Sequence, residues 1–188
     1  DKISKAIAGA GIRNGYVEHA NYWEFNSLDG EAISSCELQT SKPISYVGQF
    51  EVEEEFQGRG VARIMLQTIS SHFEAEGAKL IEIEKVQSDG LSFWARYGAI
   101  PNNGAPEASE YISIFLPVGS TQASRLCLSN AYERALSNPI EAWYEITDPD
   151  NDVPRKLIAD LNYRSYKKSM TIDLSHPVVR ERLGLDQS

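Results

Sequence analysis

The sharpest chemical signal in this chain is the stretch from Val52 to Leu66, VEEEFQGRGVARIML. Glycines at 58 and 60 stand directly before a helical pattern, where they free the backbone to turn tightly. The first-turn N–H groups of a helix have no acceptor inside it. Several such donors converging on one point, with the positive end of the helix dipole behind them, make an anion site that suits phosphate best. Arg59 and Arg63 are spaced to add charge at its rim. Two familiar phosphate loops are excluded by spacing: there is no GxxxxGK followed by Ser or Thr, and no GxGxxG with an acidic residue closing a following strand. The plain alternative is a strand-to-helix turn whose glycines serve geometry alone.

Other reactive side chains carry weaker signals. Glu51, Glu53, Glu54 and Glu55 crowd the end of the preceding strand, where they attract a cation or simply form a solvated cap on a sheet. Cys36 and Cys127 lie far apart without metal-ligand spacing, and isolated cysteines of this kind behave as small hydrophobes. No metal site is expected. His19 and Glu18 fall on the first strand, His72 on the long helix and His176 before Pro177; none has a recognisable catalytic partner. Trp23, Trp143 and Tyr144 lack the basic interleaving of a base-stacking platform and read as packing residues.

The elements that must position the loop follow from periodicity. Residues 1–12 suit a short helix broken by Gly9 and Gly11. YVEHANYWEF and AISSCELQT read as a strand pair across Leu28-Asp29-Gly30-Glu31. ISYVGQFEVEEEF reads as a third strand; plain alternation puts Tyr46, Gly48, Phe50 and Val52 on one face and Val47, Gln49, Glu51 and Glu53 on the other. After Gly60 the period becomes 3.6, with Val61, Ile64, Met65, Thr68, Ile69 and Phe73 on one stripe that ends near Gly77. A strand AKLIEIEKV, a short helix SDGLSFWARYG and an apolar strand EYISIFLPV complete an α/β unit whose parallel crossover starts at the glycine loop. Beyond Gly119, SRLCLSNAYERALSNP and PRKLIADLNYRSYKK suit helices, followed by MTIDL and HPVVRERLGL. The expected division is therefore an α/β domain over 1–119 and a largely helical carboxyl-terminal extension over 120–188, packed on it.

Composition bounds the function. The 188 residues are 41% hydrophobic and 24% charged, which suits a folded domain with a sizeable core. A formal charge of -9 argues against a broad nucleic-acid-binding face, so no nucleic-acid partner is expected. No apolar run reaches membrane-spanning length, and a cytoplasmic protein, monomer or homodimer, without a membrane partner is expected. The first residue is Asp1 rather than Met, so a processed or excised chain is expected.

Gln57, Gly60 and Ala62, in QGRGVA, with a hydrophobic strand before and a long helix after, resemble the acyl-coenzyme A motif of the Gcn5-related N-acetyltransferase (GNAT) superfamily, Gln/Arg-x-x-Gly-x-Gly/Ala. GLSFWARYGAI resembles the superfamily's second cofactor-side motif. The resemblance covers about residues 15–118 and is strongest from 46 to 99. It implies an α/β fold with a mixed central sheet and acetyl-coenzyme A as acyl donor. It implies that main chain at Phe50 and Val52 pairs with the pantetheine arm. The N–H groups from Gly58 through Arg59, Gly60, Val61 and Ala62 then hold the pyrophosphate, with Gln57 and Arg63 in the same cofactor-binding set. The implied activity is direct transfer of acetyl to a primary amine of a small molecule or peptide, plausibly cationic given the acidic chain. The resemblance also implies that the Val52 N–H stabilises the oxyanion. The superfamily's acid tyrosine aligns with Trp94, so the nearest phenol, Tyr97, becomes the candidate general acid. The glutamate base of some members aligns with Tyr46, which leaves Glu51 as the candidate base. These two departures also support a second reading, a binding or regulatory module that keeps fold and cofactor but turns over weakly.

Overall fold

Alternating strands pair first along the chain. β1 (Ile12–Val17), β2 (Ala20–Asn26), β3 (Ala32–Gln39) and β4 (Ile44–Val52) form an antiparallel meander, and β5 (Leu80–Ile83) joins β4 in parallel, so the sheet is mixed. The computed structural model describes residues 12–17, 20–26, 30–87, 90–114, 116, 118–151, 153–164 and 169–186. The helix expected over 1–12, and His19 with Glu18, lie outside or almost outside them. The run YVEHANYWEF is two strands rather than one: β1 ends at Val17, β2 starts at Ala20, and Val17 pairs with Ala20.

Two compact units divide the chain, residues 1–84 with 183–188 and residues 85–182. In the first, helix α1 (Val61–Ala75) makes the parallel crossover from β4 to β5. It buries Val61, Met65, Leu66, Ile69, Ser70 and Phe73, the stripe that its 3.6 period presents to a sheet. Trp23, which pairs with Cys36, stacks its ring on His72 of α1 with centroids 4.6 Å apart, so α1 covers the sheet face that carries Trp23 and Cys36. The helix stops at Gly77, φ 86, where Ala78 N–H reaches Phe73 O at 2.9 Å and Gly77 N–H reaches Glu74 O at 2.9 Å.

The second unit holds α2 (Leu91–Arg96), β6 (Ala99–Pro101), α3 (Ala108–Ile112), α4 (Gln122–Ala135), α5 (Pro139–Ile146), α6 (Arg155–Arg164), β7 (Met170–Asp173) and most of α7 (Pro177–Leu183). β6 and β7 pair antiparallel, Ala99 with Ile172, so the four helices α3 to α6 are an excursion between two neighbouring strands. The strand expected over EYISIFLPV is corrected: its start is helix α3, fixed by a capping box in which Glu107 N–H donates to Glu110 Oε2 at 2.8 Å. Tyr111 is buried there while Ile112 is 67% exposed, so the start of this run is a helix and not a core strand. Thr121 and Asn138 cap α4 and α5, and Pro139 sits in the first turn of α5. Fully buried Trp143 donates its Nε1–H to Ala99 O at 2.9 Å. Arg182 binds the carbonyls of Ala95, Arg96 and Tyr144 and the Thr147 hydroxyl, and its guanidinium lies 5.7 Å from the Tyr144 ring centre. Among the described residues no helix is long and apolar enough to cross a membrane.

Gly98, φ 92, ends α2 where a Cβ would lie 2.6 Å from Val179 Cγ2. Gly98→Ala is expected to cost about 3 kcal/mol, left-handed strain plus overpacking. Gly184→Ala is strained at φ 68 but meets only Gln67 Nε2 at 3.6 Å, and is expected to cost about 1 kcal/mol. Urea unfolding of the two variants checks this; equal losses would show that the Val179 clash is relieved.

Candidate active site

β4 positions the site, and a bulge decides how. Leu38 pairs with Val47 and Cys36 with Phe50, so Gly48 and Gln49 together stand opposite Glu37. The extra residue reverses the alternation along the rest of the strand. Val47, Phe50 and Val52 consequently share the face of Leu38, Cys36 and Ser34, while Tyr46 and Glu51 share the face turned away from α1. The face assignment expected from plain alternation is corrected by this one residue. A Cβ at Gly48 would press on Glu37, 3.1 Å from Oε2 and 3.4 Å from Cβ. An isolated glycine inside a strand pattern is the sequence signal for such a bulge.

The bulge also sets which edge the main chain faces. Glu53 N–H donates to Ile33 O at 3.0 Å, so Glu53 faces β3 and its neighbour Val52 faces the opposite edge. There β5 accompanies β4 only from Ile44 to Val47, and Glu84 N–H to Val47 O at 3.2 Å closes the pairing. β4 runs on to Val52 beyond it.

At the end of β4, Glu54–Phe56 form a single 3-10 turn with Phe56 N–H on Glu53 O at 2.9 Å and Gln57 N–H on Glu54 O at 3.2 Å. Gln57 Nε2 donates to Val52 O at 3.0 Å. Gly58 and Gly60 then take φ 70 and φ 83, the left-handed region that glycine enters without penalty. The first helical bond is Ile64 N–H to Gly60 O at 3.2 Å. Among the described residues no acceptor meets the N–H groups of Gly58, Arg59, Gly60, Val61, Ala62 and Arg63. A Cβ at Gly58 or Gly60 would meet nothing within 4 Å, so the loop has room beside its donors. Arg59 lies over Phe56, 5.8 Å from the ring centre, and Arg63 is exposed. Donors in excess, space beside them and two cations at the rim fit a phosphate group.

The first unit thus brings together Phe50, Glu51, Val52 and residues 57–63. Gln57, expected to touch a cofactor, spends its carboxamide on Val52 O. Glu51 is exposed and accepts from Gln49 Nε2 at 2.7 Å. Tyr97 lies in the second unit, just past α2, with its ring 5.0 Å from Phe93. Trp94 is only 6% exposed and packs edge-on against Phe93 at 5.2 Å. Among the described residues no group of three His, Cys, Asp or Glu side chains could hold a metal ion.

Residues 10–99, which contain this loop, its strand and its helix, match the model of the acetyltransferase (GNAT) family. That stretch, just under half of the chain, is similar to the family. No curated protein matches its sequence. Among solved structures it is similar to nourseothricin acetyltransferase (18% identity, 51% of this chain and 58% of that one, TM-score 0.41). It is also similar to Ard1 from Thermoplasma volcanium (18%, 43% and 56%, TM-score 0.40) and Tetrahymena GCN5 (13%, 56% and 66%, TM-score 0.43). The chain therefore spans only 56% to 66% of the length of these relatives.

Cys36 is fully buried, and burial pushes its thiol up to about 12, so it does not suit a thiol nucleophile. The unfolded thiol ionises from 9.0, so raising the pH from 9 towards 12 favours the unfolded state, and the Cys36 contribution to stability is present below pH 9 and lost across that window. Cys36 is expected to resist an alkylating reagent at pH 8.5 in the folded protein and to react within minutes in denaturant, read by mass spectrometry. Labelling at equal rates in both states would contradict its burial.

Proposed function

We propose that this chain is an acetyl-coenzyme A-dependent N-acetyltransferase that passes acetyl directly to a primary amine of a small molecule or peptide. The single observation that carries the reading is the run of six unpaired N–H groups from Gly58 to Arg63 at the end of a strand whose edge β5 has left. Six donors that meet no acceptor among the described residues are costly to leave unmade unless water or a ligand satisfies them, and a diphosphate supplies matching acceptors. The coenzyme, when bound, supplies an activated acyl carbonyl and a readily departing thiolate.

In this proposal the chain's own groups take the following roles, which the geometry of the first unit supports. The N–H groups of 58–63 hold the diphosphate, with Arg59 and Arg63 at the rim. Main chain at Phe50 and Val52 binds an extended amide as an added strand would, and the Val52 N–H stabilises the oxyanion. Glu51, on the face turned away from α1, takes the proton of the incoming ammonium directly or through water. By pairing, Glu37, Glu24 and Glu82 share that face, since Tyr46 lies beside Glu82 and Ser35 between Glu24 and Glu51. This acidic surface supports a cationic acceptor. Tyr97 Oη is assigned the proton for the departing sulfur on the strength of the family resemblance.

Calorimetry with acetyl-coenzyme A, followed by thiol release over a panel of amines, tests the proposal. Binding together with faster release for cationic amines is expected; absence of binding would falsify it, and binding without release would leave a non-catalytic cofactor module. Gly60→Asn and Gly60→Asp both tolerate the left-handed backbone, so their difference isolates charge. Asp is expected to weaken coenzyme A binding at least tenfold more than Asn, from repulsion of the diphosphate. Tyr97→Phe is expected to lower the maximal rate about 10- to 100-fold with little change in coenzyme affinity. An unchanged rate would return Tyr97 to packing.

A further inference from the structure

We infer that Gln57 is a positioning residue, whose carboxamide ties the end of β4 to the glycine loop and so aims the loop's N–H groups at their ligand. The inference rests on the coenzyme binding proposed above. Gln57 Nε2 donates to Val52 O at 3.0 Å, closing a ring of main chain around the 3-10 turn Glu54–Phe56. Among the described residues the turn is otherwise held by two short-range main-chain bonds, Phe56 to Glu53 and Gln57 to Glu54, and by the Arg59 guanidinium over the Phe56 ring, and it buries no residue. The next residue, Gly58 at φ 70, has no Cβ and nothing within 4 Å of where one would be, so packing does not fix it. Gln57, anchored through both its N–H and its side chain, is thus the residue from which the chain leaves toward the loop.

The bond has a second effect. Val52 C=O shares the edge of Val52 N–H, away from β3, because Glu53 N–H is the group that reaches Ile33. Gln57 meets that carbonyl with a neutral donor, so the tie between strand end and loop adds no charge at the site.

Three variants separate this role from general stability. Gln57→Met keeps length and removes the donor, Gln57→Glu sets acceptor against acceptor, and Gln57→Arg restores a donor. In the ligand-free full chain, amide exchange at Phe56 and Gln57 is expected to quicken about fivefold or more in the Met and Glu variants and to stay near wild type in Arg. Coenzyme A affinity by calorimetry is expected to fall about fivefold to tenfold in Met, further in Glu, and to recover to within about twofold in Arg. A Met variant with wild-type exchange and wild-type affinity overturns the positioning role, as does an Arg variant as weak as Met. Failure of the wild-type chain to bind coenzyme A overturns the proposed function and the role of Gln57 in it together. Wild-type binding with an indifferent Gln57 overturns the positioning alone.

Discussion

One extra residue in β4, where Gly48 and Gln49 share the place opposite Glu37, governs most of what the first unit can do. A strand alternates its side chains between faces and its amide groups between edges with the same period of two, so a one-residue insertion reverses both at once. Upstream of the bulge Val47 gives its carbonyl to Glu84 and serves the sheet. Downstream, Phe50 and Val52 sit on the α1 face and the Val52 amide groups reach the edge that β5 does not follow. Without the inserted residue the same sequence would aim the Val52 amide at β3 and place Glu51 under α1. The acidic side chain and the open amide edge are products of one irregularity.

The glycine loop inherits its position from that strand end. Gly60 in the left-handed region starts α1 abruptly, so the first-turn donors of α1 and the preceding N–H groups follow one another without an acceptor between them. A helix start of this kind is stable only while water or a ligand answers its donors, which ties the local conformation to binding. The packing that holds α1 in place begins at Val61, directly after Gly60, and runs through Met65, Leu66, Ile69 and Phe73, while Gly58, Arg59 and Gly60 are exposed. Rigid scaffold and responsive loop are thus adjacent segments of one element.

The second unit solves a different problem, joining several short helices whose ends carry main-chain carbonyls in need of donors. Arg182 and Arg96 do this with carbonyl contacts: Arg182 spans the end of α2 and the end of α5, and Arg96 reaches Val153 O at 2.8 Å. Burial lowers the pKa of both guanidinium groups from their usual value, yet arginine is basic enough to stay charged and keep donating. Trp143 adds a buried indole bond to β6. This arrangement encloses the segment that carries Trp94 and Tyr97 within the second unit.

Local chemistry determined much of this protein. The 3.6 period from Val61 to Phe73, the glycines at 58, 60 and 77 and the order of strand, loop, helix and strand were all legible, because each depends on residues close in sequence. The resemblance of QGRGVA and its flanks led to the family for the same reason. Tertiary structure alone decided the rest. The bulge depends on how β3 meets β4, so the face of Glu51 and the edge of Val52 were beyond any reading of alternation. The turn inside YVEHANYWEF and the helix at the start of EYISIFLPV went unread because apolar and β-branched content does not distinguish a strand from a hairpin or a short capped helix. The partner of Gln57 was likewise invisible: a carboxamide can satisfy a cofactor or a carbonyl five residues back, and only the path of the chain between Val52 and Gln57 brings that carbonyl within 3.0 Å.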